Sequence, residues 1–396
     1  MIGDRLRQKR IINGMSLQDV ANELSNRGRK LSRAILSKYE LNQSTPNALV
    51  LRDLAAILGV KTDYFFSESD ISINWQAFRK KASVTQVTQE RIKILAGQKV
   101  ERLLQVESVC GIEAESSDLP VFRTITTLDE AEAIAEKLRI RWKLDDLPIK
   151  SLSELLESKG IVLVPLPSEI AGMDGLVGSL AGDRKIIVYD LGKSVDRIRL
   201  TIAHELGHLV GGNEDYKLNE KIANRFAGAF LAPARMLYQD MGTSRTSFSI
   251  PELCLLKEKY GMSIQALTYR AKDLGILTES AFKSMFISFR SKGISTVEPG
   301  IWNYPEEPTQ IKRYIFRAVA EGRISETKAQ EIYPDYLEVK SEMEIVPESS
   351  IQAFLALTPD EREKQLLLAS ESIASFYEKG GALGEFDILD DVEEYE

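Results

Sequence analysis

Two histidines stand four residues apart in the segment His204-Glu205-Leu206-Gly207-His208, and they are the only histidines in the chain. On an α-helix this spacing puts both imidazoles on one face, close enough to bind one metal ion. The glutamate between them is placed as a general base that takes a proton from an attacking water. The segment therefore predicts a zinc site for hydrolysis, with His204 and His208 as ligands and Glu205 as the base.

A catalytic zinc ion needs a third protein ligand, and the sequence offers two candidates. Glu214 completes the pattern His-Glu-x-x-His-x-x-Gly-x-x-Glu, which imitates the metzincin pattern, but it lies in a polar loop at 211–215. Glu220 opens a predicted helix whose small residues Ala223 and Ala227 allow a close approach to the histidine helix. Because a helix holds a ligand more rigidly than a loop does, we favour Glu220 and keep Glu214 as the alternative.

The segment before the histidines alternates predicted strands and helices. Residues 161–164 and 185–189 are apolar runs typical of buried or edge strands, and residues 175–180 can pair with the latter across a turn at 181–184. Helices flank this small sheet, so the sequence predicts a helix-rich α+β fold that positions the histidine motif. A substrate chain would lie extended along the edge strand.

The first 68 residues have the pattern of short helices. Ser16 begins a capping box, and apolar residues at helical spacing follow it. A polar turn contains Gly28, a second helix starts near Ser32, and a later helix ends at Gly59. This order of a capped helix, a turn and a second helix predicts a compact all-α domain.

Charge is distributed unevenly along the chain. The 396 residues carry a net charge of −8, which by itself argues against a nucleic-acid binder. The last stretch, 385–396, contains acidic residues and no basic ones, whereas the first forty residues are basic. This asymmetry predicts a basic head for nucleic acid and an acidic tail for another use. The basic residues of the head are Arg5, Arg7, Lys9, Arg10, Arg27, Arg29, Lys30, Arg33 and Lys38.

Composition excludes several classes of protein. The chain has no apolar run long enough for a membrane helix and no apolar signal region at its start. Its two cysteines, Cys110 and Cys254, exclude a disulfide framework and a four-cysteine zinc site. We therefore expect a protein of the reducing cytoplasm. Cys110, as a thiolate, is also a candidate for the open position of the zinc ion.

Residues 199–233 contain the histidine motif and the segment Glu-Lys-Ile-Ala-Asn-Arg-Phe-Ala, and they closely resemble the ImmA/IrrE metallopeptidases. The resemblance implies a small zincin-like α+β domain. It also implies that the glutamate of Glu-x-x-Ala-Asn, which is Glu220 here, is the third zinc ligand. The activity that it implies is endoproteolysis of a helix-turn-helix repressor, often in response to DNA damage or in mobile-element control.

The capped first helix, the turn and a second helix ending in Leu-Ser-Lys-Tyr-Glu40 resemble the XRE (Cro-like) helix-turn-helix family. In that family the second helix of the motif enters the major groove of DNA. The resemblance implies contacts to bases and phosphates from this helix and contacts to phosphates from the turn. The alternative is a helical bundle that contacts only other proteins. The candidate DNA contacts are Arg29, Lys30, Ser32, Arg33, Ala34, Ser37 and Lys38.

These patterns predict a chain of several segments in a fixed order. They are a helix-turn-helix domain at 1–70, a helical linker at 71–118 that acts as a spacer or dimer seam, a zinc metallopeptidase domain at 119–240, a helical region at 241–346 that completes the peptidase, and a helix with an acidic tail at 347–396.

Two functions are open from the sequence. The first is a DNA-binding transcription regulator whose zinc-dependent endopeptidase cleaves a repressor-like protein in a stress, mobile-element or phage-defence response. The second is an antitoxin-like regulator that binds its promoter and neutralises a partner protein, with the zinc site idle or structural. The expected partners are duplex operator DNA and a repressor-like or toxin protein. A second copy of the chain is a further candidate partner, and no membrane is expected.

Overall fold

The computed structural model describes residues 1–67, 71–76, 85–113, 116–122, 124–168 and 175–344, together with short pieces between 354 and 367. The chain forms two compact units, Met1–Glu326 and Thr327–Glu396. Almost all of the predicted helix and acidic tail at 347–396 lies outside the described residues. Within the described part, no helix is both long and apolar enough to cross a membrane.

Short helices form the beginning of the chain, as the sequence predicts, and the second, third and fourth of them begin with a side-chain cap. Ser16 and Asp19 make the capping box: the Asp19 amide donates to Ser16 Oγ at 3.1 Å, and the Ser16 amide donates to Asp19 Oδ2 at 2.7 Å. Ser32 Oγ accepts from the amide of Ile35 at 3.4 Å and so marks the start of the second helix of the motif. The elements are α1 (Ile2–Ile12), α2 (Leu17–Asn26), α3 (Arg33–Glu40), α4 (Ala48–Leu58) and a 3-10 helix (Thr62–Phe66).

A sheet lies at the centre of the second part of the first unit. Among the described residues its strands are β1 (Asn74–Trp75), β2 (Val162–Leu166), β3 (Gly175–Ser179) and β4 (Lys185–Asp190), in the order β1-β3-β4-β2. β2 runs parallel to β4, whereas β3 is antiparallel to both β4 and β1. The structure confirms the three predicted strands and adds β1, which could not be predicted because two residues carry no visible periodicity.

The long helix α5 (Gln86–Cys110) lies in the segment predicted as a spacer or dimer seam, and it packs within the chain. Its buried residues Ile92, Ala96 and Val100 meet the face of the sheet that presents Val164 and Val188. The sheet therefore buries the apolar residues of α5, and α5 forms one layer of this part of the molecule.

Helices cover the opposite face of the sheet. Alternate strand residues Leu163, Val177 and Ile187 enter a second, larger core on that side. Since successive residues of a strand point to opposite faces, a sheet covered on both faces needs the nearly continuous apolar runs seen in β2 and β4. The helices that contribute to this core are α6 (Leu128–Arg141), α7 (Leu152–Ser158), α8 (Val195–Val210), α9 (Tyr216–Leu231), α10 (Ala234–Met241), α11 (Ile250–Tyr260), α12 (Ile264–Asp273) and α13 (Glu279–Ser291).

The region predicted to be helical after residue 240 is helical in the structure. Besides the helices already given, it contains α14 (Gln310–Ala320), which packs against α5. The last described helices are α15 (Glu326–Ile332) and α16 (Tyr336–Glu344).

Candidate metal centre

The histidine motif lies in α8, on a helix as predicted. Ile198, Ile202 and Leu209 are buried in the large core and form the apolar stripe of this helix. Burying that stripe fixes the rotation of α8 about its own axis. The imidazoles of His204 and His208 are then presented together on another side of the helix.

A buried ion pair anchors the first half of α8. The guanidinium of Arg199 is fully buried, pairs with Glu306 and donates to the carbonyl of Ile149 at 2.7 Å. Glu306 also accepts from the amide and the hydroxyl of Ser153, at 2.8 and 2.9 Å, while Trp302 stacks 4.5 Å from the guanidinium. Burial lowers the pKa of Arg199, and the charge of Glu306 opposes that shift. Local sequence patterns do not reveal this pair, because its members are 107 residues apart.

A close helix crossing brings a third side chain to the histidines. A Cβ atom on Gly207 would lie 3.0 Å from Phe226 Cδ1 and 3.3 Å from Ala223 Cα, so the glycine permits α8 and α9 to approach more closely than a side chain would. Asp215 caps α9, and Glu220 follows in its second turn rather than at its first residue. The crossing places Glu220 beside both histidines.

Three potential ligand atoms converge at this crossing. His204 Nε2 and His208 Nε2 are 2.9 Å apart, and the oxygens of Glu220 lie 3.5 Å from each. The side chain of His208 is 2% exposed, that of His204 17% and that of Glu220 31%, so the group opens towards solvent on one side. Among the described residues this is the group of histidine and acidic side chains that could hold a metal ion.

The spacing and chemistry of these atoms fit zinc. Ligand atoms about 2.1 Å from a tetrahedral zinc ion lie about 3.4 Å apart, close to the separations found here. Two imidazoles and one carboxylate form a donor set used by catalytic zinc sites, which keep a fourth position open. His204, His208 and Glu220 would therefore hold the ion.

Asn224 orients one of the histidines. Its Oδ1 lies 2.9 Å from Nδ1 of His204. Since an amide oxygen can only accept, the proton of the neutral imidazole stays on Nδ1 and leaves Nε2 for a metal ion. From the sequence, Asn224 is only a member of the Glu-x-x-Ala-Asn pattern, and no role was predicted for it. Its position one turn after Glu220 was the signal that could have found it.

Glu205 lies where the helix meets the sheet. It is 8% exposed, and a Cβ on Gly175 would come within 2.5 Å of Glu205 Cγ and Oε1. The first residue of β3 must therefore be very small for the carboxylate to lie at this point. The arrangement puts a candidate general base between the histidines of α8 and strand β3.

Two weaker metal candidates lie elsewhere. Glu214 is exposed just before α9 and is not in the group of converging ligands. Cys110 is buried at the end of α5, and its Sγ donates to the carbonyl of Tyr314 at 3.4 Å. Burial raises the pKa of the Cys110 thiol, which disfavours the thiolate that a zinc ion needs.

Most candidate DNA contacts are accessible on and before α3. Lys30, Ser32, Arg33, Ala34 and Lys38 are exposed, and Ser37 is half-buried. Arg29 differs from them because its guanidinium pairs with Asp53 of α4. The hydrogen bond from Arg29 also holds the pKa of Asp53 below its usual value, as expected for a carboxylate paired with a guanidinium.

Other basic residues of the head also act within the protein. Arg10 makes two hydrogen bonds to the buried Glu40, at 2.6 and 2.8 Å, and so ties α1 to α3. Arg5 makes two to Glu101 of α5, at 2.6 and 3.1 Å. The charge excess counted from the sequence therefore overstates the charge that the head can offer to a polyanion.

Two parts of the chain match known protein families. Residues 3–71 match the family model of a helix-turn-helix domain. Residues 156–272, which contain the converging histidines and Glu220, match the model of an IrrE N-terminal-like domain of a peptidase family. Among curated proteins, none matches the chain significantly. The two family matches confirm the resemblances that the sequence motifs indicated.

Proposed function

We propose that this chain, which carries a helix-turn-helix domain and an IrrE N-terminal-like domain, is a DNA-binding transcription regulator with a zinc-dependent endopeptidase of its own. The observation that carries the proposal is the meeting of His204, His208 and Glu220 next to a buried Glu205. A merely structural zinc site has no use for Glu205, because that carboxylate is not one of the converging ligands.

The chemistry of the proposed reaction is divided among few residues. His204, His208 and Glu220 would hold zinc, which supplies Lewis acidity towards the scissile carbonyl and the attacking water. Glu205 takes a proton from that water on a carboxylate oxygen and later gives a proton to the leaving amine. Asn224 keeps the His204 ring turned so that Nε2 faces the site.

Strand β3 supports the substrate. It runs from Gly175, which touches Glu205, between β4 on one side and the two-residue strand β1 on the other. An extended peptide laid along β3 would gain backbone hydrogen bonds without a demand for particular side chains. We infer that the substrate is a repressor-like helix-turn-helix protein, cleaved in a stress, mobile-element or phage-defence response, since the family resemblance implies that class.

The helix-turn-helix domain would bring the peptidase to its operator. Ser32 caps α3, and the exposed Arg33 and Lys38 lie on it, so this helix can present basic side chains to the major groove and its phosphates. A regulator that is bound next to the repressor it cleaves would act at a high local concentration.

The test compares the parent with Glu205→Gln on repressor-like proteins encoded beside this gene. Loss of the base should lower the cleavage rate by about 10²- to 10⁴-fold while zinc stays bound, because Glu205 is not among the proposed ligands. Elemental analysis and gel-resolved cleavage measure the two properties. Equal cleavage by both proteins would remove Glu205 from the mechanism. A normal host phenotype for E205Q would favour the antitoxin-like alternative.

A further inference from the structure

The outer edge of β3 is paired with a segment of the chain itself. In the register of the sheet, Asn74 lies opposite Ser179 and Trp75 opposite Gly178. The pairing continues one residue further, where the amide of Gln76 donates to the carbonyl of Val177 at 3.0 Å. This segment belongs to the stretch between the helix-turn-helix domain and α5.

Side-chain packing holds β1 on β3. A Cβ on Gly178 would lie 2.8 Å from Trp75 Cε3 and 3.1 Å from Ile73 Cγ2, so the absence of a side chain at Gly178 makes room for both. Ile73 also lies beside Gly97 of α5. Exposure alternates along the segment, with Ile71, Ile73 and Trp75 half-buried and the residues between them exposed. That period of two is typical of a strand fitted to a surface.

The direction of β1 relates it to the proposed catalytic site. Because the pair is antiparallel, a step from Asn74 to Gln76 moves along β3 from Ser179 to Val177, towards Gly175. Gly175 is the residue that touches Glu205, and it lies about 7 Å beyond Val177 at the usual rise of a strand. β1 therefore uses part of the edge to which a substrate strand leading into the site would have to bind.

We propose that β1 is an internal competitor of substrate, which must leave β3 before an extended substrate can pair along the whole strand. This inference rests on the proposed peptidase function. The segment that would fit the outer edge of β3 best is an extended chain with a bulky apolar side chain opposite Gly178. Since the backbone of β3 can bond to only one strand on this side, β1 and substrate cannot pair with Val177 and Gly178 together.

The test uses full-length protein carrying Glu205→Gln, so that no peptide is cleaved. The probe is a labelled peptide, Ile-Ser-Ile-Asn-Trp-Gln, which has the sequence of residues 71–76. Ile73→Ala with Trp75→Ala should loosen β1, and the peptide should then bind at least about tenfold more tightly than to the parent, because the fraction of open edge rises. Ser72→Ala with Asn74→Ala is the matched control, since both side chains are exposed, and it should bind as weakly as the parent.

Hydrogen exchange provides a second measurement. In the loosened variant, amides of residues 71–76 and 175–179 should exchange faster and return towards parent protection when the peptide is added. Gly178→Ala should also loosen β1, here through a change in β3, because a Cβ at position 178 would lie 2.8 Å from Trp75 Cε3 and the ring would have to move. Equal peptide affinity in parent and loosened variant, or unchanged exchange at 71–76 in Gly178→Ala, would overturn the proposal. None of these readouts needs zinc or cleavage, so a failed peptidase assay would not be mistaken for a failure here.

Discussion

The two domains of this chain use their charged residues in different ways. In the IrrE-like domain, the side chains singled out by the sequence, His204, His208 and Glu220, meet in one place. In the helix-turn-helix domain, several basic residues that the sequence suggested for DNA are engaged inside the protein, among them Arg10 with Glu40. Spacing within a helix is a local property that a sequence displays, whereas the choice of ion-pair partner depends on the tertiary fold.

The largest effect expected from this comparison is the loss of zinc when a converging ligand is removed. Glu220→Ala should lose most of its zinc, because two imidazoles alone bind the ion weakly. Glu214→Ala is the matched control, since Glu214 is exposed six residues earlier and outside the ligand group, and it should keep its zinc. Elemental analysis after gel filtration measures both. Zinc retained by Glu220→Ala and lost from Glu214→Ala would reverse the choice of third ligand.

The next largest effect is the loss of stability on breaking the buried ion pair of each domain. Glu306→Gln leaves the fully buried charge of Arg199 without its partner and should cost about 3–5 kcal/mol of unfolding free energy. Glu40→Gln should cost less, because the side chain of its partner Arg10 is 14% exposed and can reach water. Urea unfolding followed by circular dichroism compares the two variants.

Tryptophan fluorescence shows which domain has lost unfolding free energy. The three tryptophans, Trp75, Trp142 and Trp302, all lie outside the helix-turn-helix helices. Their unfolding transition should shift in Glu306→Gln and stay near the parent in Glu40→Gln. If the transition of Glu40→Gln shifted as far as that of Glu306→Gln or further, the two domains would unfold as one unit. The stabilities of their ion pairs could then not be compared domain by domain.

A smaller effect concerns Asn224, which touches a proposed ligand without being one. Asn224→Ala removes the acceptor for His204 Nδ1 and should weaken zinc binding by about 10- to 100-fold. Asn224→Asp keeps an acceptor at this place and should retain most of the affinity. Competition with a chelator of known strength measures both constants. Equal zinc affinity in Asn224→Ala and the parent would show that ring orientation is fixed by packing alone.

The sequence could predict features that depend on residues close together in the chain, but not features that depend on contacts between distant residues. The caps at Ser16 and Ser32, the strands β2, β3 and β4 and the helix of the histidine motif depend on residues close together in the chain, and all of them were predictable. The sequence favoured Glu220 over Glu214 as the third ligand but kept Glu214 open, because the crossing of α8 and α9 that brings Glu220 to the histidines joins two separate helices. The packing of α5 on the sheet and the pairing of β1 with β3 depend on contacts distant in sequence, so local periodicity could not reveal them.

The smallest expected effect tests the DNA-binding side of the comparison. Arg33→Ala with Lys38→Ala removes two exposed cations from the helix proposed to enter the major groove. If both contact phosphates, the slope of log affinity against log salt should become shallower by about two, and binding should weaken most at low salt. Fluorescence anisotropy with a labelled duplex from the protein's own promoter region, measured over a range of salt, gives the slope.

Arg29→Ala is the informative control for that experiment. Arg29 was also a candidate phosphate contact, but its guanidinium pairs with Asp53, so its removal should lower the stability of the domain and leave the salt slope unchanged. The double variant should do the opposite, because Arg33 and Lys38 are exposed. If Arg29→Ala flattens the slope as much as the double variant does, the pair with Asp53 must open on DNA. The basic residues of the head would then be available to DNA after all, and the contrast between the two domains would hold only in the absence of DNA.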